Sequence, residues 1–156
     1  MTTVREAGDG DRRAIATLHE ASIQAFGPEA YTGEQVEAWA SGKDPEGYPI
    51  GEEGSYLVVA EREDGVAGFG HLVVPDREVT AVYVDPDHAR RGVGTAILEE
   101  LASEADDREL DELSLVASRN AVGFYERRGW ERVENLTHET TGGIELECVA
   151  MERSLD

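Results

Sequence analysis

One eleven-residue stretch, His88-Ala89-Arg90-Arg91-Gly92-Val93-Gly94-Thr95-Ala96-Ile97-Leu98, sets two arginines and two glycines where a strand-like run gives way to a helix. Val79-Thr80-Ala81-Val82-Tyr83-Val84 leads in, Asp85-Pro86-Asp87 ends the strand, and Ala96 to Ala102 continues with apolar residues at helical spacing. Amides at such a helix start have no internal partner, so the turn suits a pyrophosphate held by orphan donors and the helix dipole. Gly92 and Gly94 allow close backbone approach, and Arg90 and Arg91 add charge-assisted contacts. The Gly-Lys-Ser/Thr ending of a Walker loop is absent, and Ile97 stands where a dinucleotide fingerprint needs its third glycine. The plain alternative is an ordinary tight turn.

The remaining chain supplies the elements around this turn. Thr3 to Ala7 predicts a strand, and Asp9 or Asp11 caps a helix carrying Ala14, Ile15, Leu18, Ser22 and Phe26, which Gly27-Pro28 stops. Thr32 and Gln35 form a capping-box pattern that opens a second short helix through Trp39. Lys43 to Gly54 is a loop, Tyr56–Ala60 and Val66–Val74 form a hairpin, and Val79 to Val84 lies beside it. Glu112 to Val116 is a strand, Asn120 to Arg128 a helix ended by Gly129, and two strands around Glu131–Leu136 and Ile144–Arg153 enclose a Gly142-Gly143 turn. The order βααβββαβαββ implies an α/β fold, a mixed sheet with helices on both faces.

The run from Val82 to Leu98 resembles the acyl-CoA-binding segment of the GNAT superfamily of N-acetyltransferases. Asn120-Ala121-Val122-Gly123-Phe124-Tyr125-Glu126-Arg127-Arg128-Gly129-Trp130 resembles that family's next block, N-A-x-x-F-Y-x-x-x-G-F/W, at the expected separation. Ala89 departs from the pattern, standing where the family usually carries Gln or Arg. The resemblance implies a single acetyltransferase domain over residues 1–156, with a mostly antiparallel central sheet and a parallel strand pair that splays at its C-terminal ends. Acetyl-CoA is implied as co-substrate, its pantetheine arm pairing with the backbone of Val82, Tyr83 and Val84, and its diphosphate held by Arg90, Arg91, Gly92, Val93, Gly94 and Thr95.

By the same resemblance Asn120 touches the cofactor; read locally, it is a helix N-cap. Tyr125 matches the tyrosine near the cofactor sulfur, where a phenol is a sensible acid for a departing thiolate; read locally, it packs beside Phe124. Glu78 and His71 are the candidate general bases, against a solvated acid and a hydrogen-bonded half-buried histidine as their plain readings. Tyr31, Trp39 and His138, with the loop from Thr137 to Gly143, either wall the acceptor site or belong to the core. No metal-ligand spacing occurs.

The chain has 34 acidic and 14 basic residues in 156, a formal net charge of -20. That excludes a nucleic-acid partner, which needs clustered positive surface. The acids are spread along periodic segments, the pattern of a folded protein from a halophile, in which molar salt cuts the Debye length to about 3 Å. With no long apolar run and no basic-then-apolar start, neither membrane insertion nor secretion is indicated, and the expected location is cytoplasmic. Cys148, the lone cysteine, reads as a buried core thiol. The expected activity is transfer of an acetyl group from acetyl-CoA to a primary amine of a small molecule or peptide by direct attack in a ternary complex. Its rival is a non-catalytic acyl-CoA-binding module. A homodimer is compatible with the resemblance.

Overall fold

The computed structural model describes residues 1–140 and 142–155. Its elements follow the expected order. They are β1 (Thr3–Glu6), α1 (Arg12–Phe26), α2 (Gly33–Ala40), β2 (Ser55–Arg62), β3 (Gly65–Val73), β4 (Glu78–Val84), α3 (Val93–Asp107), β5 (Glu112–Ser118), α4 (Val122–Glu126), β6 (Glu131–Glu139) and β7 (Glu145–Ser154). The strands form one seven-stranded sheet in the order β1-β2-β3-β4-β5-β7-β6, antiparallel throughout except for β4 and β5. No helix among the described residues is long and apolar enough to cross a membrane.

Helices cover both faces of the sheet. Ile97, Leu98 and Leu101 of α3 pack with Tyr125 of α4 against Val79, Leu113, Leu115 and Met151 on one side. On the other, Ile15, Leu18 and Ile23 of α1, with Val36 and Ala40 of α2, pack against Val59, Phe69, Leu146 and Cys148. Two glycines of β3 set how closely α3 can lie. A Cβ at Gly70 would come within 2.4 Å of Ile97 Cγ2, and one at Gly68 within 2.8 Å of the Tyr83 carbonyl. Gly70→Ala is therefore expected to cost about 2–3 kcal/mol of stability through overpacking, measured as a lower urea midpoint at unchanged slope.

The capping box of α2 forms as the sequence predicts: Gln35 N–H donates to Thr32 Oγ1 at 3.2 Å, and Gln35 Oε1 accepts from Thr32 N–H at 2.9 Å. Asp11 does not cap α1. Its carboxylate instead receives the Arg5 guanidinium at 2.9 Å on both oxygens and the Gly8 amide at 2.8 Å, so an ion pair to β1 replaces the cap. That guanidinium holds the Asp11 carboxyl below the usual carboxylate range. The expected Asn120–Arg128 helix is a 3-10 turn over Arg119–Ala121 followed by α4, and Asn120 makes no capping bond. β6 runs on to Glu139, beyond the expected Leu136, so Thr137 to Glu139 of the expected Thr137–Gly143 loop are strand; β7 is shifted by one residue from the expected Ile144–Arg153, and Thr141 lies outside the described residues.

Pairing between β4 and β5 is confined to Glu78–Ser114 and Val79–Leu115. Beyond these, β4 runs on to Val84 and β5 to Ser118 with no register partner between them. The cause is visible on the other side of β4. There His71 pairs with Ala81 and Leu72 with Val79, leaving Thr80 as an extra residue, a bulge that bends β4 where the parallel ladder stops.

Candidate active site

The parted strands enclose a cavity of about 750 Å³ that is lined from both faces of the sheet. On the α3–α4 side lie Val82, Val84, Arg90, Gly92, Val93, Gly94, Thr95, Asn120 and Tyr125. Tyr83 and Glu78 also line it, Glu78 at the point where the strands separate. Of the expected catalytic and cofactor residues, two do not. Arg91 is outside the lining, and so is His71, whose Nε2 lies 3.1 Å from Ser55 Oγ and whose Nδ1 lies 2.6 Å from Thr80 Oγ1. The side chain of His71 meets the cavity wall through the bulged Thr80. Burial lowers the His71 pKa, partly offset by Glu52.

The turn before α3 has left-handed backbone at Arg90 (φ 64°) and at Gly92 (φ 78°). Such alternation makes an anion-accepting concavity, and for arginine it costs on the order of 1 kcal/mol. Gly92 stands at the helix N-cap and offers no side-chain cap, so the amides of the first turn keep no partner among the described residues. Arg128 is fixed beside them. Its Nε donates to Thr95 Oγ1 at 2.8 Å, its Nη1 to the Phe124 carbonyl at 2.8 Å, and its guanidinium lies 3.9 Å from the Phe124 ring centre. Arg127 joins the lining nearby. The ion pairs among the described residues engage Arg5, Arg12, Arg77, Arg108, Arg119 and Arg132, and none engages Arg90, Arg91, Arg127 or Arg128. Three of these, Arg90, Arg127 and Arg128, line the cavity beside the helix start, whereas Arg91 lies off the lining and its charge acts on Asp64.

Two further polar groups on this side want partners. Asn120 Oδ1 is buried with none. His88 is buried, meets Asp64 through Nε2 at 2.9 Å, and leaves Nδ1 orphaned. Tyr125, 7% exposed, stands edge-on to Phe124 and Trp130. Its hydroxyl bonds no described residue and is not sealed from the cavity. Burial pushes its pKa well above the ordinary phenol value.

Residues 28–153 match the family described as acetyltransferase (GNAT) domain. The chain belongs to the GNAT acetyltransferase family. It is 26% identical over 139 residues to the uncharacterized N-acetyltransferase YafP of Escherichia coli, covering 89% of this chain and 87% of that protein. A GCN5-related N-acetyltransferase from Rhodopseudomonas palustris, described as "Aminotransferase, Class-II", superposes with a TM-score of 0.90 at 30% identity, over 99% of this chain and 96% of that one. The PaiA N-acetyltransferase of Thermoplasma acidophilum, solved in complex with coenzyme A, shares the fold at a TM-score of 0.78 and 19% identity, over 99% of each chain.

In this GNAT domain the α1–α2 side of the cavity is lined by Ser22, Ile23, Phe26, Glu29 and Trp39, with His138, Leu146 and Cys148 from the last two strands. Tyr31 is not on the lining. Its hydroxyl donates to the Glu147 carbonyl at 2.6 Å and accepts the Arg119 amide at 2.9 Å, pinning the end of β5 to β7. Cys148 is buried as expected, and burial raises its thiol pKa. Arg127, Arg128, His88, Ser22 and Thr80 escaped the sequence reading as site residues. Of these, Arg127 and Arg128 carry a signal in the sequence as cations within Asn120–Trp130, and His88 as the first residue of the run to Leu98.

Proposed function

We propose that this chain, acting as one acetyltransferase domain of the cytoplasm, moves an acetyl group from acetyl-CoA to a primary amine of a small molecule or peptide. Bound acetyl-CoA supplies an activated thioester carbonyl. The amine attacks directly, within a complex that holds both substrates. The residues fit such a cofactor: partnerless amides at the start of α3, unpaired arginines around them, an orphaned Asn120 carbonyl oxygen, and unladdered backbone along Val82–Val84.

In this reading the amides from Arg90 to Thr95 hold the diphosphate, with Arg90, Arg127 and Arg128 adding charge. Asn120 accepts from the pantetheine arm. Tyr125 keeps its proton for the departing thiolate, and Glu78 takes a proton from the incoming amine through water. One observation carries the assignment: the free Tyr125 hydroxyl and the partnerless α3 start open onto the same cavity between the parted strands.

The test is release of free CoA thiol with a broad amine and peptide panel in molar salt. Steady release supports transfer, and tight CoA binding without release from any amine would convert the protein into a binding module. Glu78→Gln is expected to lower kcat/KM about tenfold near neutral pH. The loss should fade as pH rises and the amine deprotonates unaided; a pH-independent loss would remove Glu78 from proton transfer.

A further inference from the structure

The two sides of the cavity are chemically unlike. Its arginines, Arg90, Arg127 and Arg128, belong to the cofactor side, whereas the α1–α2 side is walled by Ile23, Phe26, Trp39, Tyr83 and Leu146. That wall is set firmly. Ile23 and Leu146 are each 1% exposed, and Trp39 stands edge-on to Tyr31 at 5.8 Å and to Tyr83 at 6.5 Å between ring centres. The fixed charges facing it are the carboxylates of Glu29 and Glu78, and the exposed His138 lies on the same lining.

One polar group interrupts the wall. Ser22, 5% exposed, lies on α1 and lines the cavity. A helical serine ordinarily returns its hydroxyl to a carbonyl of the preceding turn. Ser22 makes no such bond, bonds no other described residue, and its hydroxyl is not sealed. Open to the cavity and unused by the chain, this hydroxyl is left for whatever enters there to bond, and a ligand that covers it without bonding it would incur the desolvation cost.

These features separate amine classes. An apolar wall disfavours an ammonium ion and so favours the neutral amine that attack requires. It equally disfavours a second ammonium laid against Ile23 and Phe26, which finds a partner only where it reaches Glu29 or Glu78. The carboxylate of an amino acid would meet Glu29 and Glu78 on the lining, while the nearest guanidinium, Arg119, stands behind it over the Tyr31 ring and bonded to the Ala30 carbonyl. A peptide would bring backbone amides to a wall with few groups to receive them.

Resting on the acetyl-transfer reading, we infer that the acceptor is a primary amine on a broad apolar or aromatic body without a carboxylate. This body seats against Trp39, and the Ser22 hydroxyl bonds one polar group on it. The polar end makes discrimination sharp, because a site built to bond a hydroxyl rejects the analogue that lacks it.

The experiment is calorimetric binding of tyramine, phenethylamine, phenylalanine, spermidine and a short unblocked peptide to the CoA-saturated protein. Salt is kept at about 1 M so that diffuse attraction of cations to the acidic surface is screened. Phenethylamine is expected to bind at least tenfold tighter than spermidine, the peptide or phenylalanine, and tyramine tighter again. Ser22→Ala should close the gap between tyramine and phenethylamine. Trp39→Ala should weaken both at least tenfold without changing CoA affinity, and Ser22→Ala carries the test alone if that variant does not fold.

Spermidine, peptide or phenylalanine bound as tightly as phenethylamine would overturn the inference, as would no binding by either aromatic amine or a gap untouched by Ser22→Ala. Binding is read separately from turnover. Tyramine that binds while acetyl-CoA yields no free thiol with it or with any other amine of the panel would refute acetyl transfer and leave the pocket chemistry standing.

Discussion

Tyr125→Phe is expected to lower kcat about a hundredfold while leaving acetyl-CoA affinity within about twofold, by steady-state kinetics and calorimetry. The substitution removes one oxygen and leaves the ring between Phe124 and Trp130, so the buried packing of α4 is kept. That oxygen bonds no described residue, so its loss strands no protein partner. A purely packing role would leave kcat within a factor of about two. An acid role removes the proton for the departing thiolate, whose ordinary pKa of about 8.5 makes a neutral phenol an adequate donor. Burial carries the phenol pKa above its usual value, so Tyr125 stays protonated through alkaline conditions in which an exposed tyrosine would begin to ionise. The wild-type rate should accordingly show no fall attributable to this residue as pH approaches 10, and unaltered turnover in the phenylalanine variant would retire the acid role.

Local patterns announced most of the elements because the residues that specify them are neighbours in sequence. The Thr32–Gln35 box and the glycine ending α4 are complete within a few positions. The site depends on relations between distant segments, and there the sequence was less informative. Val79 to Val84 alternates like any central strand; the bulge at Thr80 exists only relative to β3, and it is the bulge that parts β4 from β5. That same bulge brings the Thr80 hydroxyl onto His71, a placement that no spacing along one strand discloses. Insertion of β7 between β5 and β6 is equally non-local. Asp11 departs from its pattern for a related reason: as a helix-start acid it satisfies the cap pattern, but Arg5 reaches it from another element and a two-pronged ion pair displaces the cap. Ser22 looked like one more position on the inner face of α1, and only the cavity beside it shows that its hydroxyl goes unused.

Raising salt from about 0.05 M to about 2 M is expected to lower the KM for acetyl-CoA about tenfold and to raise the melting temperature, because screening acts differently on the two charge populations of this chain. Below about 0.1 M the Debye length exceeds about 10 Å, so the field of a molecule with net charge -20 extends over the whole cavity and opposes an anionic cofactor. At molar strength only charges in near contact still act, and beside the α3 start those are Arg90, Arg127 and Arg128, none paired with a carboxylate. Self-repulsion is also concentrated in one place. In the β6–β7 ladder Glu131 faces Glu152 and Glu139 faces Glu145, like charges directly opposite at a sheet edge where β6 is exposed along nearly its whole length. Hydrogen exchange should therefore find β6 and β7 opening first as salt is withdrawn, ahead of the β2–β3 and β3–β4 ladders. Replacing Glu131 and Glu139 by glutamine should restore protection in dilute buffer. A melting temperature and KM that stay flat across the salt range, or uniform loss of protection through the sheet, would mean that the acidic surface is not tuned to concentrated salt.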